Sequence, residues 1–276
     1  MLLVASRPVR MITVVGLALS GVASAGAAGI GTAALARRAP VVTGRVAGLN
    51  RTVVALGRRI LLGRSVEGRP IVAFERGDPS STRKVLVVGC THGNECAGTA
   101  IAERLLGLRA PPRVDLWIIP DLNPDGAARG TRDNAHGVDL NRNFPWHWRR
   151  LYGLYDSGSR PLSEREARIA HTLILRLRPA VSIWFHQHLA LVDESGGDTA
   201  IERRFANLAG LPLARLPREP GSITSWQNHT LAGTAFVVEL PAGPLLRAAT
   251  GRLARAVLTI SGGSIGAGRP KIVANH

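Results

Sequence analysis

The chain has 276 residues, 45% hydrophobic and 20% charged, which excludes the disordered and fibrous classes and is enough to bury a large core. A formal net charge of +16 favours anionic surroundings, yet the basic residues are scattered and aromatics make up only 4%. With no long Lys/Arg run and little to stack on bases, nucleic acid is set aside as a partner.

In chain order, residues 1–36 come first as a segment apart. Arg7 and Arg10 precede an uncharged stretch from Met11 to Ala36, with small-residue sites at Ala23–Ala25 and Ala34–Ala36. This fits a signal peptide; the stretch also exceeds the ~20 residues that span a bilayer, so a membrane anchor stays open. Either way the expected location is secreted, or anchored at the outer face of the cytoplasmic membrane. Residues 37–59 read as a basic linker or short leader, 60–262 as the folded domain and 263–276 as a C-terminal tail.

Within the domain, Ile60–Gly77 reads as a hairpin turning at Glu67–Pro70. Lys84–Cys90 is a β-branched run of the kind buried on both faces. A helix is expected over Glu95–Leu108, and a second apolar strand over Val114–Pro120. Leu162–Pro179 reads as a helix with Ser163 as N-cap and Glu166 completing a capping box. Strands over Ala180–His186 and Thr234–Leu240 follow, and a final helix over Pro244–Ile260. Alternating strands and helices make an α/β fold: a single domain with a twisted, mostly parallel (mixed) sheet flanked by helices. Ligands of such sheets sit beyond the carboxyl ends of the strands, where His92, His186 and Glu239 fall.

The chemistry-bearing residues are few. His92 and Glu95 stand three apart where a strand hands over to a helix, and both are metal-ligand types; the bland alternative is a capped turn. His186 and His188 each offer a third ligand, and only one of the two is expected to be a ligand. His136, His147, His171 and His229 read as structural or exposed. Arg132, Asn141 and Arg142 lie in a polar loop and suit a carboxylate or a developing oxyanion, unless they merely form surface ion pairs. Glu239 ends an apolar strand, where a carboxylate is costly unless a site or a salt bridge accommodates it. Cys90 and Cys96 flank the first motif, as a disulfide or as two small buried residues.

Taken in order, "HGNE", "TR", "GVDLNRNFP", a strand-end histidine and "VVELP" resemble the zinc carboxypeptidase family, the M14 metallopeptidases, over about residues 60–260. The resemblance implies one Zn2+ per chain on His92, Glu95 and His186; His186 is preferred to His188 because the family places its ligand at the close of the strand. It further implies that Arg132 polarises the scissile carbonyl, that Asn141 and Arg142 hold the terminal carboxylate, and that Glu239 is the general base. The digestive enzymes carry a tyrosine shortly before "GSI", which this chain lacks. The sequence looks more like the bacterial murein-peptide amidase branch, which cleaves γ-D-glutamyl–diaminopimelate bonds, with Ser222 and Trp226 shaping the pocket. A monomer acting on cell-wall muropeptides is the expectation that follows. Its rivals are an aspartoacylase-like deacylase of N-acyl amino acids, an inactive wall-peptide-binding domain and a charge-driven module for anionic polymers.

Overall fold

A computed structural model describes residues 57–263; the expected leader over 1–36, most of the linker over 37–59 and the tail beyond Gly263 lie outside the described residues. Among the described residues no helix is long and apolar enough to cross a membrane. Arg58 and Arg59, read as the end of the linker, open the first strand.

Strands β1 (Arg58–Arg64) and β2 (Pro70–Gly77) form the expected hairpin, closed by Ser65 N–H to Arg69 O at 2.9 Å with Gly68 at φ +84°. Then come β3 (Lys84–Val88), α1 (Gly98–Leu106), β4 (Asp115–Ile119), α2 (Pro124–Arg129) and α3 (Arg165–Leu177). The chain finishes with β5 (Val181–Asp193), α4 (Thr199–Ala209), β6 (Leu213–Ala214), α5 (Ile223–Thr230), β7 (Thr234–Pro241) and α6 (Arg247–Gly262). The sheet runs β1-β2-β4-β3-β5-β6, with β7 on β5. Only the β1 and β2 pairings are antiparallel; β3, β4, β5, β6 and β7 pair in parallel.

The pattern of β3 explains the layering. Val85 and Val87 pack with Phe185, Phe236 and helices α1, α4 and α6 on one face. Leu86 and Val88 pack with Trp117, Trp184, Phe144 and α3 on the other. Successive residues point to opposite faces, so an unbroken apolar strand is what a sheet covered on both sides requires.

Several boundaries differ from the sequence reading, the final helix among them, which runs over Arg247–Gly262. Helix α1 begins at Gly98, because residues 92–97 form a separate turn with Glu95 N–H bonded to His92 O at 2.9 Å. The capping box over Ser163 and Glu166 does not form: Glu164 is the N-cap residue without a side-chain cap. Glu166 is spent on Val66 N–H at 3.0 Å and Asn134 Nδ2 at 3.1 Å, while the Ser163 hydroxyl donates to Glu164. Strand β5 does not stop at His186 but continues to Asp193, with register irregularities against β7 past His188. Helices α2, α4 and α5 were not foreseen from the sequence, although Asp198 and Ser222 cap the latter two at their first turns.

Candidate active site and metal centre

Three parallel strands deliver the reactive residues to one end of the sheet. The turn after β3 carries His92 and Glu95, and Cys90 and Cys96 close it as a disulfide, with Cα atoms 4.6 Å apart. Gly93 lies against α2 so closely that a Cβ there would overlap the Gly126 carbonyl carbon, so glycine is required for the turn to seat. On β5 and β7, His186 and Glu239 are partners in register.

His92 Nδ1, His186 Nδ1 and Glu95 Oε2 converge: His92 to Glu95 is 2.9 Å, His186 to Glu95 is 3.1 Å and His186 to His92 is 3.1 Å. Both imidazoles are buried, at 1% and 3% exposure. This is the His–Glu–His cluster whose donor atoms lie within reach of one metal ion. The other ring nitrogen of His92 sits 2.9 Å from Asp139 Oδ1, a carboxylate that fixes the ring so that Nδ1 faces the cluster.

Asp139, fully buried, is the hub the sequence reading passed over. It also takes Arg132 Nε at 3.0 Å on Oδ2 and Asn141 N–H at 2.8 Å on Oδ1. Arg132 in turn reaches Glu95 Oε1 at 2.7 Å. Burial alone would raise both acids, but hydrogen bonds from the two histidines hold Glu95 far below the usual carboxylate range, and His92 and Arg132 do the same for Asp139. Burial pulls His92 down, yet Asp139 and Glu95 outweigh it and its pKa is raised; His186, buried beside His92, is lowered.

Glu239 is different. Its Oε2 is buried with no partner among the described residues, and burial, followed by the charge of Glu95, raises its pKa. Arg142, 6% exposed, donates from Nη1 to Asn141 O at 3.1 Å, but its Nε also lacks a partner among the described residues. Asn141 gives its amide oxygen to Ile223 N–H at 2.9 Å, which leaves its NH2 as the remaining donor. A strap of backbone bonds, Phe144 N–H to Gly221 O at 2.9 Å and Gly221 N–H to Trp146 O at 3.0 Å, brings Ser222 beside Arg142.

These residues line one cavity of about 310 Å³ that takes in His92, Glu95, Arg132, Asn141, Arg142, His186, Ser222 and Glu239. Trp226 is a correction: it is 4% exposed and packs on Phe144 and His171, with ring centroids 5.2 and 4.6 Å away, in the core behind the cavity. His188 is exposed and lines the same cavity, since residues two apart on a strand share a face. It stays outside the metal cluster. Gln187 between them is a clamp, accepting from Ala97 N–H at 3.0 Å and donating to Pro241 O at 2.8 Å and Gly243 O at 2.9 Å. The only sequence sign of Asp139 was an acid inside the asparagine- and arginine-rich "GVDLNRN"; Gln187 carried none.

A family model described as zinc carboxypeptidase matches residues 48–188. Murein peptide amidase A of Escherichia coli K12 is 32% identical over 181 residues, covering 59% of this chain and 74% of the relative. The protein of that name from Vibrio campbellii is 32% identical over 197 residues, covering 65% and 77%. Among solved structures, murein-tripeptide amidase MpaA from Escherichia coli O157 aligns with a TM-score of 0.64 at 26% identity, over 78% of this chain and 97% of that one. Carboxypeptidase A from Helicoverpa armigera has a TM-score of 0.64 at 17% identity, over 75% and 68%, a likeness of fold.

Proposed function

Since the chain belongs to the zinc carboxypeptidase family and is a metallopeptidase, we propose that it hydrolyses the amide bond next to a free C-terminal carboxylate in cell-wall peptides, as an exported monomer holding one Zn2+. The observation that carries this reading is the convergence of His92 Nδ1, His186 Nδ1 and Glu95 Oε2 beside the unpartnered carboxylate oxygen of Glu239. Three ligand-type atoms turned on one point fit a divalent cation, and His92 is already oriented for it by Asp139. A zinc ion held there supplies a Lewis acid that polarises a carbonyl and eases the ionisation of water.

The remaining work falls to side chains. Arg142, with the free NH2 of Asn141, holds the terminal carboxylate through charge-assisted hydrogen bonds. Arg132 faces the carbonyl oxygen as negative charge develops on it. Glu239, basic because it is poorly solvated, takes the proton of the attacking water and returns it to the leaving amine. The cell-wall substrate is supported by the names of the relatives reported above, murein peptide amidases. The full set of reactive positions weighs against an inactive binding domain.

The test is metal content of the full chain together with turnover of L-Ala-γ-D-Glu-diaminopimelate before and after chelation. About one zinc per chain and chelator-sensitive cleavage is the expected result; His186→Ala should lose the metal and His188→Ala keep it. Zinc without cleavage would reopen the substrate, and no metal would return the His92 turn to a structural role.

A further inference from the structure

Tyr155 is one of only two tyrosines in the chain, and it lies in the wall of the candidate active-site cavity. It ends a short 3-10 turn (Gly153–Tyr155) and is 46% exposed. Two guanidiniums share its ring: Arg132 Cζ is 5.3 Å and Arg142 Cζ 5.1 Å from the centroid. Its neighbour Asp156 ties the turn to the site, accepting Asp139 N–H on its carbonyl at 2.8 Å and Arg150 Nη2 on its carboxylate at 3.0 Å. The ring is therefore placed by the same segment that places Asp139.

The two arginines depend on it unequally. Arg132 is fixed without the ring, by Glu95 at 2.7 Å and by Asp139 at 3.0 and 2.9 Å. Among the described residues the Arg142 guanidinium has one hydrogen bond, to the carbonyl of its own neighbour, and its carboxylate contacts, Asp139 and Glu219, both stand at 3.8 Å. An aromatic face attracts a cation and also offsets the repulsion between two cations lying against it.

Resting on the carboxylate-binding role given above to Arg142, we propose that Tyr155 is a positioning residue that holds the Arg142 guanidinium open toward the cavity and so sets affinity for the substrate's terminal carboxylate. The ring face performs the task and the hydroxyl is dispensable. Tyr155 takes no part in proton transfer.

The experiment compares Tyr155→Phe and Tyr155→Leu in the full chain. Calorimetry in a Glu239→Gln background reads binding of the L-Ala-γ-D-Glu-diaminopimelate tripeptide and of its C-terminal amide. Steady-state turnover reads KM and kcat in the otherwise natural chain. Tyr155→Leu should weaken binding of the acid and raise KM by about 5- to 30-fold, with kcat within about threefold and the amide unaffected. Tyr155→Phe should restore the natural values. Equal loss of acid and amide, a fall confined to kcat, or failure of phenylalanine to rescue would overturn the assignment while leaving the peptidase reading intact. A natural chain that binds acid and amide equally would remove the carboxylate role of Arg142 and this assignment with it. Cleavage is not needed for the binding arm, so loss of the peptidase reading shows separately.

Discussion

Two buried polar networks draw on the segment from Asp121 to Glu166, and they are built on opposite rules. Under α3, Asp125 takes Ser65 Oγ at 2.7 Å, Glu67 N–H at 2.9 Å and Arg69 at 2.7 Å. Beside it Asn134 Nδ2 bridges Glu164 at 2.8 Å and Glu166 at 3.1 Å, Ser163 and His136 complete Glu164 at 2.7 Å each, and Val66 N–H completes Glu166. Every carboxylate oxygen there meets a donor. At the other network three metal-ligand atoms, His92 Nδ1, His186 Nδ1 and Glu95 Oε2, crowd one point and Glu239 Oε2 meets nothing among the described residues. Buried charge alone therefore does not mark a site; the first network is closed and the second is open at its centre.

Breaking the open network should cost activity and spare the fold. Glu239→Gln removes the base while keeping shape, and a drop in turnover of at least ~10² is expected with metal content unchanged. Turnover at the natural level would take Glu239 out of the mechanism. Breaking the closed network should do the reverse. Asn134→Ala leaves Glu164 and Glu166 facing each other without their shared donor, and denaturant titration should show about 1–3 kcal/mol lost. Activity per folded molecule should stay within about twofold; a selective loss of activity would mean that the two networks are coupled through the 132–139 loop.

How far the sequence led follows the same division. The sheet was legible because fully buried strands need unbroken apolar runs, as in "VLVV" and "SIWF". His92, Glu95, His186, Arg132, Asn141, Arg142 and Glu239 were legible as an ordered set of motifs, and the cavity gathers all seven. Asp139 was not, because its role depends on contacts with His92 and Arg132 that cross 47 and 7 residues of sequence. Trp226 was misplaced because a helix begins at Ile223, turning its side chain into the core. The capping box at Ser163 failed because a tertiary partner, Val66 N–H, claimed the glutamate first. Long-range polar partners carry no local period, so they are the part that pattern reading loses.

Glu202 stands between the two extremes and offers the finest test of the rule. Fully buried, it accepts Ser195 N–H at 3.1 Å on Oε1, while Oε2 has no partner among the described residues. Burial raises its pKa to about 7 from an ordinary 4.5, with backbone donors from Gly197 and Ser195 opposing and the charge of Asp193 adding. The folded chain therefore holds a proton that the unfolded chain has released over that interval. Stability from this group is complete below about 4.5 and is lost as the pH rises through about 7. The slope it contributes is at most about 1.4 kcal/mol per pH unit. Denaturant midpoints of the natural chain and of Glu202→Gln, measured from pH 5 to 8, should diverge as the pH rises, because the amide never ionises. Parallel curves would mean that Oε2 finds a donor in solution and that Glu202 belongs with the closed network.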